Sequence, residues 1–99
     1  DPQFTEELSA LAEMLAQRPA DVVENLAGLG YINSSNIARL LRLRKQMLTA
    51  GRRLVLCAVG NQVWGVLLVT GLDKIFEFTA DVATALATVQ LSAGRKPAK

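Results

Sequence analysis

Three short apolar runs, at 21–26, 53–59 and 75–79, are separated by stretches long enough to hold a helix, and that spacing decides what the chain can become. Antiparallel neighbours can be joined by a two-residue hairpin, whereas parallel neighbours need a crossover of a dozen or more residues, usually helical. The intervals are filled by 37–50, which ends at Gly51, and by 61–70, which ends at Gly71, both suitable helix stops. A first helix is expected from Thr5, read as its cap, with Leu8, Leu11, Ala12 and Leu15 at helical spacing and Pro19 as its limit. A last one is expected from Asp81, as cap, to about Leu91. The expected fold class is therefore α/β: a small sheet of mostly parallel strands layered with about four helices.

Composition narrows the function. Ninety-nine residues make one domain with a modest core, and an apolar fraction of 51% against 20% charged marks it as globular. No apolar run approaches the roughly 20 residues of a membrane span, and the N-terminus lacks a signal-peptide pattern, so a cytoplasmic domain without membrane insertion is expected. The chain has no histidine, which removes Ser-His and Cys-His catalytic units. Zinc would find neither His nor paired Cys, and no metal or cofactor is expected. The single Cys57 lies inside an apolar run and reads as a small buried residue. Six of the eleven basic residues fall between Arg39 and Arg53, but the net charge is only +2 and no aromatics interleave with them. That pattern reads as a solvated face rather than a nucleic-acid surface.

The junction at 31–36, Tyr-Ile-Asn-Ser-Ser-Asn, joins the first apolar run to the second helix. A serine there can cap the helix by accepting from its unpaired amides. Those amides and the positive end of the helix dipole also make a seat for an anion. Ser34 or Ser35 is thus either a structural cap or a hydroxyl placed to carry phosphate. On the helix that follows, the spacing puts Ile37, Leu40, Leu41, Met47 and Leu48 on a core face, and Asn36, Arg39, Arg42, Leu43 and Gln46 on the opposite side with the serines. Arg44 projects onto the apolar face, with its head expected at the helix's own C-terminal carbonyls.

The segments LAGLGYINSS (26–35), LLRLRK (40–45), AGRRLVL (50–56), TGLDKIF (70–76) and DVATAL (81–86) resemble, in order and spacing, the STAS domain family, whose best-known members are bacterial anti-sigma-factor antagonists. The resemblance covers about 4–91, so 1–91 is expected to form the domain and 92–99 a flexible basic tail. Family members usually open with one or two further strands. Here they are expected to be missing, as in a fragment, which leaves an open sheet edge.

The resemblance also implies a switch. In phosphorylated antagonists a Ser or Thr after an Asp at this helix start is phosphorylated by a partner kinase that is itself the anti-sigma factor. Carried over, the acceptor is Ser34, with Ser35 as the alternative. The partner surface is then Asn33, Ser34, Ser35, Asn36, Arg39 and Leu43, and the partner an anti-sigma factor acting as a serine kinase. Two positions depart from the pattern: Asn33 replaces the usual Asp and Asn36 the usual Gly. The alternative is a STAS subunit that is not phosphorylated, attached to a transporter ATPase or a sensory scaffold. No enzyme is expected, because Ser34 has no evident general base.

The third helix breaks the family pattern elsewhere. Val63, Val66, Leu67 and Val69 suffice for a core stripe, yet Trp64 and Leu68 on the neighbouring ridge are apolar as well. Two readings stand: Trp64 fills a local groove, or the pair forms a second interface for a homodimer or a neighbouring domain.

Overall fold

A computed structural model describes residues 2–94, with side chains as far as Leu91. Helix α1 (Pro2–Gln17) leads into β1 (Val22–Asn25), α2 (Ser34–Ala50), β2 (Leu54–Cys57), α3 (Asn61–Thr70), a 3-10 turn (Leu72–Lys74), β3 (Glu77–Thr79) and α4 (Val82–Gly94). The strands form one parallel sheet in the order β1-β2-β3, with Val22 opposite Leu54 and Val55 opposite Glu77. The architecture is α/β with four helices and a small parallel sheet, as the crossover lengths required.

Alternation along the strands sorts side chains into two cores. Val22, Leu54, Leu56 and Phe78 pack with residues of α1, α2 and α3, while Val23, Val55 and Cys57 pack under Val82, Ala85 and Val89 of α4. The larger core holds Leu8, Leu40, Leu43, Met47 and Leu67, all nearly inaccessible. Each such side chain contributes about 1.5–3 kcal/mol of transfer free energy.

Several local expectations are corrected. Helix α1 starts at Pro2, so Thr5 lies inside it rather than capping it. Proline suits the first turn, where its missing N–H costs nothing. The core face of α2 is Asn36, Leu40, Leu43 and Met47, while Leu41 and Leu48 lie at the surface. The expected face was rotated because it grouped Ile37, Leu41 and Leu48 with Leu40 and Met47, whereas Leu43 and the hydrogen-bonded Asn36 take the inward positions. Gln46 is likewise turned toward α1, where its Nε2 donates to the Ala12 carbonyl at 2.9 Å. Arg44 reaches the Ile75 carbonyl (3.0 Å) instead of its own helix end. Val69 is the most exposed large apolar residue of α3, at 89%. The third strand is shorter than expected because the 3-10 turn takes up the chain before it. The tail assigned to 92–99 lies outside the described residues beyond Gly94, and the backbone of its first three residues continues α4.

Candidate functional site

Parallel strands send their following helices off from one edge of the sheet. The starts of α2, α3 and α4 therefore cluster at the carboxyl ends of β1, β2 and β3. Among the described residues the strands lie in sequential order, without the reversal of strand order that opens a ligand crevice in larger α/β sheets. What this edge offers is a set of helix starts and loops.

The start of α2 is built by two asparagines. Asn33, in an extended conformation (φ −114, ψ 178), is the N-cap, so neither serine fills that role. Its Oδ1 accepts from the Asn36 amide at 2.9 Å, and the Asn36 Oδ1 accepts from the Asn33 amide at 3.1 Å, which makes a reciprocal capping box. A helix start has four amides without intrahelical acceptors. The box takes those of Asn33 and Asn36, and leaves those of Ser34 and Ser35, which have no acceptor among the described residues. Both serine side chains are exposed, and neither hydroxyl makes a hydrogen bond among the described residues.

Asn36 does more than close the box. It is fully buried, and its Nδ2 donates to Thr5 Oγ1 at 2.7 Å, joining the first turns of α1 and α2. Burying an amide is tolerable only when its hydrogen bonds are made. No buried side-chain polar atom among the described residues lacks a partner. The two departures from the family pattern thus belong together as one capping device.

This geometry divides the sequence-derived surface. Asn33, Ser34 and Ser35 are exposed and adjacent at the tip of α2, and Arg39 is half-buried one turn on. Asn36 and Leu43 face the core, Leu43 with 1% exposure, and neither can touch a partner. The outer face continues instead through Ala38, Leu41 and Arg42, with Tyr31 exposed on the preceding loop. Identifying Asn33 as the cap would have fixed Ser34 and Ser35 as the first two helical positions, whereas the outer face itself follows from the burial of Asn36 and Leu43.

Acidic groups surround the same edge. Burial, reinforced by Glu7, holds the Glu24 carboxyl above its usual range. Asp81 caps α4 by accepting from the Thr84 amide at 2.8 Å, and hydrogen bonds from Thr84 lower its pKa. A cavity of about 230 Å³ lies between the first turns of α1 and the β1–α2 loop, lined by Gln3, Glu7, Asn25 and Gly28 among others. Cys57 is inaccessible, and burial, Asp81 and Glu24 push its thiol up, so it stays neutral. Among the described residues no cluster of His, Cys, Asp or Glu could hold a metal ion, and no helix is long and apolar enough to cross a membrane.

The family model for the STAS domain matches residues 2–85. The chain belongs to the STAS domain family. Among solved structures, this STAS domain is similar to a Thermotoga maritima protein described as a candidate anti-sigma factor antagonist. The TM-score is 0.76 and the identity 18%, over 86% of this chain and 77% of that one. At that identity the likeness speaks for the fold. No curated protein matches the chain in sequence.

The second expected interface separates into two residues with different surroundings. The Trp64 ring is half-buried and meets Phe78 edge-on, with centroids 5.0 Å apart, so the indole packs across the top of β3. Such a pair contributes about 0.5–1.5 kcal/mol beyond its area. Leu68 is 51% exposed beside Val69.

Proposed function

We propose that this STAS domain is a regulatory protein-binding module of the anti-sigma-factor-antagonist kind, controlled by phosphate at Ser34. One observation carries the reading: two exposed serine hydroxyls sit beside two helix-start amides that the capping box leaves without acceptors. Phosphate there would add roughly −1.5 to −2 charges. The helix dipole and the free amides accommodate that charge, so the fold need not change. A partner carboxylate or apolar group seated on the tip of α2 would be repelled, and the complex would weaken. The partner in this reading is an anti-sigma factor with serine kinase activity. Ser35, one position on, is the alternative acceptor.

The test is incubation with extract of the source cells and ATP, followed by mass spectrometry of the 31–39 peptide, with Ser34→Ala and Ser35→Ala in parallel. Phosphate lost only in Ser34→Ala supports the reading, and loss only in Ser35→Ala moves the acceptor by one residue. With the kinase in hand, Ser34→Asp should bind it at least tenfold more weakly than the original chain.

The asparagine pair favours a second reading, a STAS subunit of a transporter ATPase or sensory scaffold that is never phosphorylated. Its cap lacks the acidic residue of the family pattern. No phosphate on either serine, with a stable complex to such a partner, would decide for it.

A further inference from the structure

The basic residues that the switch does not use gather at the opposite pole. Helix α2 spans about 25 Å from Ser34 to its C-terminus, and at that far end a pocket of about 180 Å³ opens between α2, the turn into β2 and the segment before β3. Three arginines line it. Arg53 is engaged by Glu77 through paired contacts, with a further bond to the Thr88 carbonyl, and its charge is balanced. Arg44 is half-buried and held through Nε by the Ile75 carbonyl, which orients the guanidinium while its terminal nitrogens have no partner among the described residues. Arg52 is exposed, and its side chain makes no hydrogen bond among the described residues.

Helix capping does not account for Arg52. The Met47 and Leu48 carbonyls already accept from the backbone amides of Arg52 and Gly51. Of the three arginines and one carboxylate that line the pocket, Arg53 pairs with Glu77, which leaves Arg44 and Arg52 without an ion pair among the described residues. Around them the lining is apolar: Phe76 and Met47 form buried walls, while Leu48 and Ile75 are 60% and 41% exposed. Arginine forks match carboxylate and phosphate oxygens in geometry as well as charge.

We propose that this pocket binds a small organic anion, its carboxylate or phosphate held between Arg44 and Arg52 and its apolar portion lying on Leu48 and Ile75. The site is separate from Ser34 and does not depend on the switch.

The probes are hexyl phosphate and hexanoate, with hexylammonium and inorganic phosphate as controls, read by amide chemical shifts of the whole chain in solution. Saturable shifts confined to 44–54 and 75–77 are expected with either alkyl anion, and none with hexylammonium. Arg52→Gln should weaken binding roughly tenfold or more, the worth of one charge-assisted hydrogen bond, while its melting temperature stays unchanged. Arg44→Gln should do the same. Should that variant fail to fold, Arg52→Gln alone decides. Arg39→Gln, at the other pole, should bind normally. The proposal is overturned if neither alkyl anion saturates, if the shifts fall on 34–37 instead, or if Arg52→Gln binds as well as the original. Inorganic phosphate binding as tightly as hexyl phosphate would remove the organic ligand. Sedimentation with anionic vesicles, without binding of the soluble probes, would replace it by a lipid surface.

Discussion

Helices α2 and α4 start at the same edge of the sheet, yet they treat a negative charge in opposite ways. At α4 the cap is itself an anion: the Asp81 carboxylate occupies the Thr84 amide, and its pKa is lowered by that contact. At α2 the cap is neutral, because an amide side chain from Asn33 does the accepting and a second from Asn36 completes the box. One helix start has already spent its affinity for an anion, and the other has kept it. Each cap occupies the third helical amide and leaves the first two, so it is the charge of the cap that decides how well a helix start takes phosphate.

The largest expected effect comes from removing the device that keeps α2 open. Asn36→Ala loses both the capping box and the link to Thr5. It should cost about 2 kcal/mol in urea unfolding, within the range for lost caps and buried hydrogen bonds. Asp81→Asn should be nearly silent at neutral pH, since asparagine caps as well as aspartate. Equal losses in the two variants would break the comparison.

A smaller effect should follow added charge. Ser34→Asp puts an anion on free amides and should stabilise by about 0.3–1 kcal/mol at low salt. Ala83→Asp, at the equivalent first turn of α4, lies beside Asp81 and should gain less. Thermal melting at two salt concentrations would check both, because the Ser34→Asp gain should shrink as salt rises.

The smallest expected effect is a difference in acid sensitivity. Asp81 has a folded pKa below its ordinary 3.8, so its contribution is present above that value and is lost as pH falls through the lowered one. Asp81→Asn should therefore lose less stability than the original chain between pH 5 and about pH 2. Asn33→Asp should give α2 the same acid-sensitive cap. Melting curves across that interval separate the variants, and parallel curves for all three would show that Asp81 gains nothing from its cap.

Much of the fold was legible because it rests on local rules. The third helix ends where its glycine stop required: Gly71 takes the left-handed conformation (φ 78) and closes on the Leu68 carbonyl. Gly51 does the same for α2 with φ 71. The crossover lengths between the apolar runs called for parallel strands. The candidate site was only partly legible. Ser34 and Ser35 were found from the strand-to-helix junction, but Leu43 and Asn36 were assigned outward when they point into the core.

What the sequence determined by itself was the order of the elements, their approximate ends and the parallel sense of the sheet, all set by interactions within a few residues or by the reach of a connection. Only the tertiary structure decided which way α2 faces and which of its polar side chains are free. Asn36 is buried because Thr5 receives its amide from 31 positions earlier in the chain, and Arg44 points away from its own helix end because the Ile75 carbonyl comes to it from 31 positions later. A polar side chain enters a core only when a distant partner removes the cost of its desolvation, and helical spacing carries no trace of that partner.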